Sequence, residues 1–257
     1  MVIISYFSNC VLILLNAPFM FKNWIYFFLS RFGREEGILY LRNGCKFKFR
    51  VRKGDRAAIN EVFLLHSYGM RTRKFAIGEE DIVLDIGAHI GSFTIYAARK
   101  CKNGRIYAVE PVKDNFDLLC ENIRLNNLSN VIPINAALGA SETQKQIFLN
   151  DLITASLVWQ STGKTEWVKV ITLDTLFNDH HLDRIDFLKM DCEGSEFDIL
   201  MNANKETIGK IFRIALEFHN IGPSKNAVAL SNFLRELGFQ VQTTDVNRWN
   251  GLLLANR

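Results

Sequence analysis

The residue types best suited to chemistry fall in two short stretches, DIVLDIGAHIGSFT at 81–94 and FLKMDCEGSE at 187–196. In the first, Ile82, Val83 and Leu84 read as a buried strand that ends in an acid and a glycine turn. Phe93, Ile95, Tyr96 and Ala97 then give an amphipathic helix. Gly87 and Gly91 let the backbone turn tightly and approach a ligand where a β-carbon would clash. The helix start adds free N–H groups to the same crevice. A nucleotide-like cofactor is the expected occupant.

What surrounds the glycines narrows that ligand. The dinucleotide fingerprint G-x-G-x-x-G is missing, which argues against a nicotinamide dehydrogenase. Asp85 would repel a pyrophosphate and suits a cation, such as the ammonium or sulfonium of S-adenosylmethionine. The next strand, RIYAVEP at 105–111, ends in Glu110, where an acid accepts hydrogen bonds from ribose hydroxyls. The expected cofactor contacts are Asp85, Gly87, Ala88, His89, Gly91, Glu110, Pro111 and Asp191, with Ala136 as a wall for the adenine.

The acceptor side is expected at the carboxyl ends of the later strands. Asp191, Glu193 and Glu196 follow the fourth strand, and Glu217 and His219 end the fifth. Group transfer from such a cofactor needs the reacting atoms held in line and, where the acceptor carries a proton, a base, which typically adds about 10²–10⁴-fold. His219 suits that role by intrinsic pKa and Asp191 by position; Glu217 completes the candidate catalytic set. Asp191, Glu217 and His219 also form a mixed oxygen and nitrogen set able to bind a hard divalent ion. Nothing in the spacing requires one, and no metal is expected. Glu193 and Glu196 read equally well as acids favouring a helix N-terminus.

Positioning these groups takes a sheet. From residue 81 onward strands alternate with helices, as a parallel sheet requires. The pattern places strands at 131–138, 186–191 and 211–218 and helices at 113–126 and 226–237. An added strand and short helix fall at 165–176, and 239–244 with 252–255 form a closing antiparallel pair. A chain of 257 residues with 48% apolar side chains can build one α/β domain (81–257) and an N-terminal extension. A net charge of +4 does not by itself point to nucleic acid, and no nucleic-acid partner is expected. Five unevenly spaced cysteines with no C-x-x-C favour reduced thiols and a cytoplasmic setting.

The extension has two parts. Residues 1–35 are hydrophobic, with no charge before Lys22, and lack the basic region of a signal peptide. Three readings stand for 1–30: helices lying on a membrane surface, one spanning helix, or helices packed on the protein itself. Were the segment to span, Lys22, Arg31 and Arg34 would place the rest on the cytoplasmic face. Residues 36–80 read as a hairpin about Asn43-Gly44 and a helix over 57–68. Lys46, Lys48, Arg50 and Arg52 share one face of the second strand, with Phe47, Phe49 and Val51 on the other. Arg71, Arg73 and Lys74 could extend that basic row. Its first reading is a solvated face; its second is a surface for acidic glycan, lipid headgroup or RNA phosphate.

The blocks VLDIGAHIGSFT, AVEP, NAALGASE, FLKMDCEGSE and ALEFHN, in that order, resemble the FkbM family of S-adenosylmethionine-dependent methyltransferases. The resemblance runs from about residue 57 to the C-terminus. His89 departs from it, standing where that family more often has asparagine. It implies the class I methyltransferase fold, a Rossmann-like, doubly wound and mostly parallel seven-stranded sheet, and most often O-methylation of a sugar. The expected acceptor is therefore a small molecule or glycan hydroxyl. Alternatives are a lipid, another small metabolite or RNA as acceptor, or a membrane-tethered module that binds the cofactor without turnover.

Overall fold

The computed structural model describes residues 13, 15–30, 35–51, 53–70, 72–149, 155–156, 164–244, 246–247 and 249–257. Arg31, Arg34, Arg52 and Arg71, and residues 1–12 and 14 of the uncharged segment, lie outside the described residues.

The centre is a seven-stranded sheet. In chain order its strands are β3 (Ile82–Ile86), β4 (Arg105–Val109), β5 (Val131–Ile134), β10 (Phe187–Met190), β11 (Arg213–His219), β12 (Gln240–Thr244) and β13 (Asn250–Asn256). Their spatial order is β12-β13-β11-β10-β3-β4-β5, and β13 runs antiparallel to both neighbours. The chain order reverses between β3 and β10, and the carboxyl ends of strands at such a switch point leave a crevice. Helices α4 (Ser92–Lys100), α5 (Lys113–Leu125), α7 (Glu196–Asn202) and α9 (Ala227–Glu236) supply the crossovers, alongside the short α6 (Leu173–Asp179) and α8 (Lys205–Gly209). β3 is buried from Val83 to Ile86, as a strand covered on both faces must be.

The expected third strand at 131–138 divides. β5 stays in the main sheet, while β6 (Ala137–Leu138) joins β9 (Thr165–Ile171), β7 (Thr143–Leu149) and β8 (Ala155–Ser156) in a second sheet ordered β6-β9-β7-β8. At the break, the Asn135 amide donates to the carbonyls of Glu110 and Pro111 (2.9 and 3.0 Å) and holds the chain beside the β4 tip.

The extension packs on the same core. β1 (Glu36–Tyr40) and β2 (Lys46–Arg50) form the expected hairpin, with Phe47 and Phe49 fully buried. The outer edge of β2 is closed by side chains of α5. Asn122 and Asn126 exchange hydrogen bonds with the backbones of Lys48 and Lys46 (2.6–3.1 Å). Four helical residues rise about 6 Å and two strand residues about 6.6 Å, so side chains at i and i+4 meet alternate strand residues. Two residues of the basic row are paired. Lys48 pairs with Glu36 and Glu121, and Arg50 with Asp55.

α3 (Asp55–Phe63) ends earlier than the helix expected over 57–68, because His66 and Tyr68 take left-handed backbone angles. Residues 15–20 are helical (α1) and precede α2 (Trp24–Leu29). Ala17, Phe21 and Phe27 are buried in the core shared with α3 and α4, whereas Leu15, Phe19, Ile25 and Leu29 are exposed. Among the described residues no helix is long and apolar enough to cross a membrane, so the spanning reading has no support there.

Candidate active site

The ends of β3, β4 and β10 surround a cavity of about 370 Å³. Its floor is the turn after β3. Gly87 (φ 76°) lies so close to β10 that a β-carbon there would sit 1.9 Å from the Asp191 carbonyl oxygen. Gly91 (φ 88°) starts α4, and a β-carbon there would meet Leu119 at 2.6 Å. Only glycine takes these angles and approaches without strain. Ala88 and His89, between them, line the cavity.

One end of the cavity is marked by Glu110. Its carboxylate accepts from the backbone N–H of His89 (2.8 Å) and Val112 (3.0 Å) and from the Asn115 amide (3.2 Å). Burial pushes its pKa up to about 7 against the pull of those hydrogen bonds. Each carboxylate oxygen has two lone pairs, so Oε2 keeps acceptor capacity toward the cavity. Pro111 and Ala136 line the same end, as expected.

Asp85 stands elsewhere. It is fully buried, does not line the cavity, accepts from the Thr94 hydroxyl at 2.6 Å and faces the Lys189 ammonium at 3.2 Å. Asp85 and Lys189 are register partners on β3 and β10, so their side chains emerge side by side on one face. Lys189 Nζ also donates to the Gly87 carbonyl at 2.8 Å. Burial alone would lower the Lys189 pKa, but Asp85 and Asp191 outweigh it and hold it above the usual lysine range. The direct contact expected between Asp85 and a cationic ligand is therefore replaced by a buried pair beneath the glycine turn.

The other end of the cavity is acidic. Asp191, Glu193 and Glu217 line it with Glu61 of α3, and Tyr68 donates its hydroxyl to Asp191 Oδ2 at 3.2 Å. Burial, reinforced by the charge of Asp191, raises Glu61 and Glu193 to about 7 and Glu217 to about 8. His219 is not among the lining residues. Its Nδ1 is 3.2 Å from Glu196 and its Nε2 is 3.4 Å from Glu193 and 3.9 Å from Glu217. Burial would lower its pKa, but the hydrogen bond and charge of Glu196, with Glu193 and Asp191, raise it to about 9. These acids favour its protonated form and hold the ring behind Glu193 and Glu196, away from the cavity lining where a base was expected. Glu196 is fully buried, accepts from the N–H groups of Cys192 and Gly194, and so braces the turn that carries Asp191.

Among the described residues the donors that come together for a cation are Asp191, Glu193 and His219, within 4.8 Å of one another. Glu193 thus takes the place expected of Glu217. Holding a metal would require the His219 proton to leave.

Sequence reasoning passed over Lys189, Glu61, Tyr68 and Asn115. Lys189 stood inside the quoted FLKMDCEGSE block, and a lysine in an otherwise apolar strand was its available signal.

These pKa values fix a pH response. For Glu61, Glu193, Glu217 and His219 the folded pKa exceeds the reference value of 4.5 or 6.5. The folded chain therefore binds these protons more tightly than the unfolded one. The stability they contribute is complete below those reference values and is lost as pH rises through 7–9. A tenfold difference in proton affinity between the two states is worth about 1.36 kcal/mol, so the ligand-free protein should lose at least ~2 kcal/mol between about pH 5.5 and 9. Urea unfolding across that range measures it, and rising stability would contradict the assignment.

Strand order, the antiparallel β13, the glycine turn and an acid at the β4 tip define a class I S-adenosylmethionine-dependent methyltransferase. Residues 85–241 match the Methyltransferase FkbM domain. The chain belongs to that family of methyltransferases, and its cofactor is S-adenosylmethionine. It is 38% identical over 109 residues to a tRNA(Phe) (4-demethylwyosine(37)-C(7)) aminocarboxypropyltransferase of Methanocaldococcus jannaschii, covering 41% of this chain and 40% of that one. It is 24% identical over 179 residues to the hexuronic acid methyltransferase AglP of Haloferax volcanii, covering 70% and 72%. In fold it is similar to a putative transferase of Pyrococcus horikoshii, with TM-score 0.52 and 16% identity over 87% of this chain and 72% of that one.

The cavity fits the cofactor: a floor that a β-carbon would fill, and at one end a carboxylate, Glu110, able to accept hydrogen bonds.

Proposed function

We propose that the protein transfers the methyl group of S-adenosylmethionine to a hydroxyl of an uncharged saccharide. The observation that carries this reading is the acidic end of the cavity. Glu61, Asp191, Glu193 and Glu217 face it, while the neighbouring cations Lys189 and His219 are committed to Asp85 and Glu196. Carboxylates accept hydrogen bonds from sugar hydroxyls and repel phosphates. The named activity of the Haloferax relative supports a sugar as acceptor, while the acidic lining here favours a neutral sugar over that relative's hexuronic acid. That of the Methanocaldococcus relative supports an RNA acceptor, which the acidic lining disfavours.

The cofactor supplies the methyl group. The chain's residues position and receive: Glu110 accepts ribose hydroxyls, the Gly87 turn admits the cofactor closely, and Asp191, steadied by Tyr68, accepts the acceptor's proton. Asp191→Asn is expected to bind cofactor within a few-fold of wild type and lose about 10²–10⁴-fold in turnover.

The test is a panel of neutral methyl hexosides, hexuronates and unmodified tRNA, with S-adenosylhomocysteine formation as the readout. Turnover with a neutral sugar supports the reading. Turnover with tRNA alone would overturn it.

A further inference from the structure

The cofactor has a cationic methionine end, and the acid expected to meet it, Asp85, cannot reach the cavity. It has no exposed surface and is closed off by Thr94 and Lys189. The Gly87 carbonyl, a second group able to accept from an ammonium, already accepts from Lys189 Nζ, whose positive charge beside it repels a second cation. An acid that does line the cavity is the better partner for the cation.

We propose that Glu61, on α3, is a cofactor-binding residue that pairs with the ammonium and sulfonium end of S-adenosylmethionine. This residue lies outside the segment that matches the family, residues 85–241. The inference rests on the cofactor assignment and is independent of the acceptor.

Four residues of one face of α3 line the cavity: Ala57, Ala58, Glu61 and Val62. The two alanines leave room for a ligand, and Glu61 is the one charged group on that face. The helix is held in register with the glycine turn by a single buried carboxylate. Asp55, at the start of α3, accepts from Arg50 (Nε 3.0 Å, Nη2 2.9 Å) and lies 3.3 Å from His89 Nε2. Glu61 and Gly87 are thereby coupled across the cavity through Asp55 and His89.

Two other acids at this end are engaged. Glu217 accepts from the Asn250 amide at 2.5 Å, and Glu193 faces the His219 imidazolium at 3.4 Å. The groups acting on Glu61 are Lys189 on β10, Asp191 just beyond it, Glu217 on β11, and Tyr68 and Ser67 beyond α3. Tyr68 and Ser67 are neutral, and Lys189 is committed to Asp85. A carboxylate so placed, beside the like charge of Asp191, is relieved by a bound cation.

Calorimetry of the full chain with S-adenosylmethionine and with S-adenosylhomocysteine tests this. Glu61→Gln should weaken S-adenosylmethionine binding about 10–100-fold, as expected when one partner of a desolvated charge pair is removed. The homocysteine product, which lacks the sulfonium charge, should be weakened less. Removing a buried like charge should leave the variant at least as resistant to urea as wild type, so lost binding is separable from misfolding. Glu61→Asp, which keeps the charge on a shorter arm, should lie between. Equal affinity of wild type and Glu61→Gln for S-adenosylmethionine overturns the proposal. A wild-type protein that binds neither ligand would instead remove the cofactor assignment on which it rests.

Discussion

Gly87→Ala is expected to abolish S-adenosylmethionine binding, weakening it more than about 100-fold, and to lower stability by about 2–4 kcal/mol. Two effects add. A φ of 76° is disfavoured for any residue with a β-carbon, at about 1–2 kcal/mol. The added carbon would also sit 1.9 Å from the Asp191 carbonyl oxygen and 2.9 Å from its carbonyl carbon, both backbone atoms that no rotamer change can remove. Either the glycine turn or the β10 tip must move, and the two together form the floor of the cavity. Gly222→Ala is the control. A β-carbon there has no neighbour within 4 Å, so stability and affinity should be unchanged. A Gly87→Ala protein that binds within about three-fold of wild type, an energy of only ~0.6 kcal/mol, would mean that the cofactor does not lie on this turn.

Lys189→Met is expected to lower stability by about 3–5 kcal/mol, because it strands the fully buried Asp85 carboxylate without its cation. Thr94 would remain as its one hydroxyl donor. The change also frees the Gly87 carbonyl from the ammonium that holds it. The diagnostic is the double variant. Asp85→Asn in the Lys189→Met background removes the uncompensated charge and should recover at least half of the loss, since a buried pair is often replaced by neutral groups with little net cost. Urea unfolding of the four proteins measures the coupling. Additive effects, with no recovery, would show that the two residues act separately and that the pair is incidental.

The cavity's two marked ends were legible in the sequence for physical reasons that are local. A glycine turn between an apolar strand and an amphipathic helix, followed by an acid at the next strand's tip, needs only short-range spacing. Gly87 and Glu110 accordingly line the cavity where that reading put them, whereas Gly91, expected as a cofactor contact, is not among the lining residues and lies against Leu119 of α5. The hairpin about Asn43-Gly44 is equally local. What escaped depends on neighbours distant in the chain. Asp85 and Lys189 become partners only because β3 and β10 are adjacent and in register. His219 has an intrinsic pKa suited to a base, and only the fold places Glu196 and Glu193 beside it, which raises that pKa. The second sheet was missed because β7, TQKQIFL, is polar and exposed over its first four residues and carries no alternating pattern. Glu61 sits on a helix whose sequence says nothing about the cavity across from it.

The membrane readings of residues 1–30 turn on packing that sequence does not record. Phe21 and Phe27 stack at 4.9 Å in the interior, while Phe19 and Ile25 of the same segment face outward.

The central claim is that this cavity holds S-adenosylmethionine, with ribose at Glu110 and the cationic end toward the acidic wall. Calorimetry of the wild-type chain with S-adenosylmethionine, S-adenosylhomocysteine and NAD, side by side, tests it most directly. One site of micromolar affinity for S-adenosylmethionine, weaker binding of the homocysteine product and none of NAD is the predicted result. Binding of NAD, or of none of the three, would contradict it.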